Sequence, residues 1–428
     1  MSSARRVLDP YLLLILGLYI LKEAFEYVVR YLNLRCMKKA GLAVPPEFEG
    51  KMDEGLMKRT RDYETEKTRF SFISSISGNV VTFFFIFGGL LNLYNSWIGS
   101  LNLSFIVSGW LFFLLLSYAG EIVSVPFSLY STFRIENRYG FNTMTIHLWI
   151  SDFVKSLLIS TVMLSIVAPA GLWLIQSSPH HWWLWVWGFL LIFGIFVMYI
   201  SPYVIEPLFN KFTPVSDESL RDRIIELTEK AGIHARKILR VDASKRSRHT
   251  NAYFTGIGKT KRIVLYDTLL EGMEQNEIIS VLAHEIGHWK KRHLLKTMAV
   301  LEVFSLAALY LCYRLVQGDY LTRLFHISEA TLFAKLVLLA FVGGILSIAL
   351  TPLMNALSRR HEREADRTSY ELTGDAQGMA GAFVKLSKEN LSNLYPHPLY
   401  VAMYYSHPPI LERIRYIREM AGGGQTGL

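Results

Sequence analysis

His284, Glu285 and His288 form an H-E-x-x-H run, the densest chemistry in the chain. On a helix the i, i+4 spacing puts both imidazoles on one face, where two nitrogens reach a single Zn2+ at about 2.0–2.1 Å. Glu285 stands beside them as a carboxylate able to take a proton from water activated at the metal. Residues 271–292 around the motif read as a helix. Glu271, Glu274 and Glu277 come early, where the helix dipole favours acids, and Lys290, Lys291 and Arg292 come late. Ile278, Ile279, Val281 and Leu282 make it half-buried, unlike a solvated helix that carries the same letters by chance. Gly287, beside the motif, lets another backbone come close.

A catalytic zinc needs a third protein ligand and an open position. His293 lies about 180° around the helix from His284 and is expected to face away. The elongated pattern with a third His also fails, because Leu294 stands at that place. Much later, Glu362 and Asp366 share a helix face at i, i+4. One of the two can ligate the metal while the other holds the N–H of a ligand imidazole, although a solvated charged helix reads the same way in isolation. Glu364 points elsewhere on that helix and reads as a solvent-facing acid.

The elements that must position these residues are set by an apolar chain. Of 428 residues, 51% are hydrophobic and 19% charged, against about 25% charged in soluble domains. Disorder and a disulfide-stapled secreted domain are excluded, and Cys36 and Cys312 read as free thiols. Seven stretches are long enough to span a bilayer, at 11–29, 70–94, 101–125, 154–176, 182–205, 297–316 and 332–354. Trp182, Trp183, Trp185 and Trp187 open the fifth as an interfacial aromatic belt.

Basic residues gather after the odd-numbered spans, with 10 Lys and Arg in 30–69, 17 in 206–296 and 9 from 356 onward. The positive-inside rule makes that side cytoplasmic and puts the N-terminus outside. The net charge of +9 is then a matter of topology, and no nucleic acid is expected as a partner. The organisation expected is 1–205 (spans one to five, with loop 30–69), 206–296 (a zinc-helix subdomain), 297–355 (spans six and seven) and 356–428 (a C-terminal region with the third ligand). Short strands are expected at 238–241, 250–254 and 262–266, with a turn near Gly256 and Gly258. The Gly-rich end after Ala421 reads as unstructured. Glu121 and Glu302, charged residues within spans, are expected to face a polar interior.

Together with Asn251-Ala-Tyr-Phe, the run 262–270 and Ser406-His407-Pro-Pro-x-x-x-Arg413, these motifs resemble the type I CAAX prenyl proteases, integral-membrane zinc metalloproteases. The resemblance covers nearly the whole chain. It implies a mainly α, polytopic membrane fold of about seven helices enclosing a chamber, with a gluzincin-like cytoplasmic subdomain and a small β-sheet. It also implies one Zn2+ held by His284, His288 and Glu362, Glu285 as general base, and Asp366 behind a ligand. Asn251 would lie near the bound peptide, with His407 and Arg413 close to the scissile carbonyl. The implied partners are a peptide or protein substrate with a prenylated C-terminus and the lipid bilayer, the chain acting as a monomer.

The expected function is therefore a membrane zinc endopeptidase. General quality-control proteolysis is the alternative, and a zinc-binding transporter or scaffold a weaker one, since a scaffold has no use for Glu285. The short connection between spans six and seven and the absence of a C-terminal retrieval signal favour a bacterial inner membrane over the endoplasmic reticulum.

Overall fold

In lipid, backbone polar groups must be paired within the segment, so long apolar runs become helices. Among the described residues, six helices are long and apolar enough to cross a membrane: Glu54–Ile86, Phe105–Glu136, Ile146–Ser177, Trp182–Phe209, His293–Val316 and Leu332–Ala349. The chain, seen as a computed structural model, is described over residues 9–233, 235–255 and 261–423. The expected turn at Gly256 and Gly258 and residues 424–428 of the Gly-rich end lie outside these, while Ala421–Gly423 continue the last helix.

The seventh expected span falls in Pro10–Ala40, a helix of 31 residues whose middle carries Lys22, Glu23 and Glu26. Those charges are paired within the fold. Lys22 lies 2.7 Å from Glu23 and 2.9 Å from Glu26, and Asn79 on the neighbouring helix donates to Glu23 at 2.6 Å. Glu121, by contrast, is exposed and Glu302 half-buried, and neither has an ion-pair partner among the described residues.

Two span ends differ from expectation. The second span stops at Ile86, where Gly89 takes a left-handed φ of 85° and starts a separate helix, Leu90–Ser100. The last span ends in a tight turn, Ser347–Ala349, and Pro352 then opens the helix Thr351–Thr373. A membrane span thus runs straight into the segment that carries Glu362 and Asp366.

Large apolar side chains such as Ile122, Ile192, Val303 and Leu353 stay exposed on the helices, as a lipid-facing surface requires. One end of the bundle is closed by a packed cluster including Leu12, Ile86, Leu91, Phe112 and Phe333. Near the other end, the connection between the first two helices buries Phe48, Met52 and Met57 against Met379, Phe383 and Ile414 of the C-terminal helices.

The subdomain between spans five and six holds a four-stranded sheet: β1 (Phe212–Pro214), β2 (Ala235–Val241), β3 (Ala252–Thr255) and β4 (Lys261–Tyr266). Their order is β1-β2-β4-β3, with β2 and β4 parallel and the outer pairs antiparallel. The register pairs Ala252 with Leu265 and Phe254 with Ile263, and leaves β3 as an edge strand. Three of these strands correspond to the expected ones, and β1 is an addition. Ile238, Ile263 and Leu265 pack with Ile278, Leu282 and Ile286 of the helix Gln275–Lys290, so one face of that helix is fixed on the sheet.

The opposite face meets Thr351–Thr373. A Cβ on Gly287 would sit 2.9 Å from the Ala365 Cα and 3.0 Å from its carbonyl oxygen, closer than packed atoms allow. The Gly287→Ala protein is expected to lose about 1–3 kcal/mol of stability as the helices separate. Thermal unfolding in detergent measures it, with Gly171→Ala as the control because nothing lies within 4 Å of that position. Equal melting temperatures for the two variants would show that the close approach is not needed.

Candidate metalloprotease centre

The motif helix Gln275–Lys290 starts at Glu274, whose backbone N–H donates to Glu277 Oε2 at 2.8 Å in a capping box. This cap, together with the sheet contact, fixes its rotation and turns His284 and His288 toward Thr351–Thr373. That second helix ends at Gly374, in a left-handed conformation at φ 65°. It buries Glu362 at 4% exposure and Asp366 at 0%.

The donor atoms converge. His284 Nε2 and His288 Nε2 are 3.1 Å apart, and they lie 3.3 and 3.1 Å from Glu362 Oε2 and Oε1. A tetrahedral zinc with ligands at 2.0–2.1 Å sets ligand atoms about 3.3–3.4 Å apart. Glu362 Oε2 is buried and makes no hydrogen bond, although His284 Nε2 at 3.3 Å and Arg413 Nη2 at 3.4 Å are near. A buried carboxylate oxygen without a hydrogen bond, facing two ring nitrogens, is what a cation site presents. The donor set, two imidazoles and one carboxylate, fits zinc.

Behind His284, Asp366 Oδ1 lies 2.8 Å from Nδ1, so the carboxylate accepts there and turns Nε2 toward the site. Arg413 donates to Asp366 through both Nε at 2.9 Å and Nη2 at 2.6 Å. Its guanidinium also lies over the Phe383 ring, 4.2 Å from the centroid, which no sequence signal indicated.

A cavity of about 540 Å3 opens onto this cluster, lined by Asn251, His284, Glu285, Tyr405, His407 and Arg413 among others. His407 Nε2 stands 3.3 Å from Glu362 Oε1, and its Nδ1 is 2.8 Å from the Ser406 hydroxyl. Asn251 precedes β3, and its side-chain oxygen accepts from the Ala252 N–H at 2.8 Å. All eight site residues expected from the sequence are thus gathered around one cavity or directly behind it.

Two expectations fail here. His293 does not face away. The motif helix stops at Lys290, Arg292 takes a left-handed φ of 55°, and a new helix begins at His293. The chain folds back, bringing His293 Nδ1 to 3.0 Å from His288 Nδ1. Glu364 is correspondingly not a free solvent-facing acid, because its Oε2 lies 3.1 Å from His293 Nε2 and its Oε1 accepts from Arg360. The Lys290-Lys291-Arg292 run, favourable at a helix C-terminus, was the only sequence sign of this break.

The charges follow from the packing. Burial alone would pull the His284 imidazole down, but the adjacent carboxylates of Asp366 and Glu362 outweigh it and hold it at about 9. Burial opposes ionisation of Glu362 too, yet the two histidines keep its carboxyl far below the usual range. At Glu285 burial prevails over the attraction of His284 and His288 and pushes the carboxyl above 4.5.

Known proteins share this architecture. Residues 33–211 match the family described as CAAX prenyl protease N-terminal, five membrane helices, and residues 214–421 match peptidase family M48. The chain is 33% identical to the CAAX prenyl protease 1 homolog of Arabidopsis thaliana, over 95% of this chain and 97% of that one. It is 32% identical to CAAX prenyl protease 1 of Saccharomyces cerevisiae, over 97% of both. The crystal structure of S. mikatae Ste24p superposes with a TM-score of 0.89 at 31% identity, covering 96% of this chain and 99% of that chain. The chain therefore belongs to peptidase family M48, within its CAAX prenyl protease group, and is a multi-pass membrane zinc metalloprotease.

Proposed function

We propose that His284, His288 and Glu362 hold the zinc, that Glu285 is the general base, and that the substrate is the C-terminal end of a prenylated CAAX protein. The observation that carries this reading is the buried Glu362 carboxylate. Its oxygens lie 3.1 and 3.3 Å from the Nε2 atoms of two imidazoles, with Glu285 lining the same cavity. The substrate class comes from the names of the relatives, which are CAAX prenyl proteases over nearly the full length of both chains.

Zinc bound here supplies a Lewis acid that acidifies water and polarises the scissile carbonyl. Glu285 takes the proton of the attacking water onto its carboxylate and returns it to the leaving amide nitrogen. Its raised affinity for protons, a result of burial, suits a group that must hold one between these two steps. His407, on the cavity wall, offers a ring N–H to the carbonyl oxygen as negative charge develops there. Arg413 holds Asp366, which holds His284, and adds positive charge to the same wall. The free edge of β3 pairs with the substrate main chain, and Asn251 at its start contacts the peptide.

All the proposed ligands come from one chain, so the site is complete in a monomer. The basic connections after the odd spans support a zinc site and C-terminus on the cytoplasmic face and an N-terminus outside. The short connection between the last two spans, residues 317–331, is what favours a bacterial inner membrane over the endoplasmic reticulum in this reading.

The decisive assay follows cleavage of a farnesylated CAAX peptide by the detergent-purified chain, with and without chelator. Glu285→Gln is expected to lower kcat about 10²–10⁴-fold with zinc content unchanged. Full activity in that variant, or a zinc content near zero in the parent protein, would sink the mechanism. Cleavage of unprenylated peptides alone would point to general proteolysis.

Zinc binding should also depend on pH with a definite sign. His284 must shed its proton to bind metal, and in the zinc-free protein it holds that proton up to about 9. Apparent zinc affinity is expected to climb as pH rises from neutrality and to level off near that value. Metal titrations against a competing chelator measure the trend, and a flat profile between neutrality and the plateau contradicts it.

A further inference from the structure

His288 Nδ1, the nitrogen turned away from the site, lies 3.0 Å from Nδ1 of His293. Two ring nitrogens at that distance share one hydrogen, and the far side of His293 decides which of them owns it. His293 Nε2 is 3.1 Å from Glu364 Oε2. An ionised carboxylate only accepts, so His293 must donate from Nε2, and in the neutral ring its Nδ1 is then an acceptor. His288 is left to donate from Nδ1, which strips Nε2 of its hydrogen on the side facing Glu362.

We propose that His293, backed by Glu364, is a positioning residue for the metal site: it fixes the tautomer and orientation of His288 so that Nε2 is presented bare to zinc. The proposal rests on the reading of His288 as a ligand. It makes the two imidazoles equivalent in plan and different in means. His284 is held by a carboxylate directly, His288 by a carboxylate acting through a second imidazole. His293 is suited to this because it is buried at 3% exposure and its ring is stacked on His361, 4.2 Å between centroids and 8° from parallel. Glu364 is steadied in turn by Arg360 at 3.2 Å and Lys296 at 4.0 Å.

The test measures zinc affinity of the full-length protein in detergent by chelator competition, in three variants of His293. His293→Phe keeps a flat ring against His361 but has no acceptor, His293→Ala lacks both, and His293→Asn restores an oxygen that accepts from His288. Phe and Ala are expected to weaken zinc binding about 10–100-fold, with Asn recovering most of the loss. Glu364→Ala, on the more exposed side, should shift affinity the same way by less. Wild-type affinity in His293→Phe, or Asn binding as weakly as Ala, would overturn the proposal and reduce His293 to a packing residue. His288→Ala separates the premises. Unchanged zinc affinity there overturns the ligand assignment and this proposal with it, whereas loss there with none in His293→Phe overturns the positioning role alone. Melting temperatures of the zinc-free variants identify any loss that comes from unfolding.

Discussion

The paired charges of Asp366 and Arg413 constrain the rest of the site. Both side chains are buried, at 0% and 8% exposure, and a buried charge without its partner costs several kcal/mol. The pair therefore fixes the distance between the last long helix and Thr351–Thr373. Asp366 uses Oδ1 a second time, on His284, so the same interaction reaches the motif helix. Three segments far apart in sequence are pinned by one carboxylate. The close approach at Gly287 and the apolar contacts of the sheet bring the helices within range. The ion pair then selects one register among those that hydrophobic packing would tolerate.

Around this anchor the site is layered. An inner triangle of two ring nitrogens and a carboxylate faces the cavity. A shell of acceptors stands behind it, Asp366 for one imidazole and His293 with Glu364 for the other. Each outer group settles where a hydrogen sits, and this determines which nitrogen lone pairs point inward. The orientation of both imidazoles is thus fixed before any metal or substrate arrives. Such a site loses little further freedom on binding.

What could be read from sequence is what obeys a local period. His284 with His288, and Glu362 with Asp366, are i, i+4 pairs, and the helix turns that align them are visible in the letters. The spans were visible from their apolar length, including the first, where charge interrupts apolarity. Pro10–Ala40 carries three ionisable groups within five residues, and only the neighbouring Asn79 and the mutual ion pairs explain their tolerance. The ends of elements were harder. At Gly89 and Arg292 a single residue with positive φ redirects the chain. A non-glycine in that conformation leaves no mark in composition. His293 was misplaced because a helix that ends at Lys290 was extrapolated three residues too far. Contacts set by tertiary packing alone, such as Arg413 over Phe383, had no local signal.

The proposed ligand set is divided by membrane-capable helices. Between His288 and Glu362 lie two of the membrane-capable helices, and Arg413 follows later still. During synthesis the motif helix emerges with its two imidazoles well before any carboxylate can join them. The centre stays chemically silent until the last span has been inserted and the segment after it has folded back onto the motif helix. Correct insertion is therefore a licence for proteolytic activity.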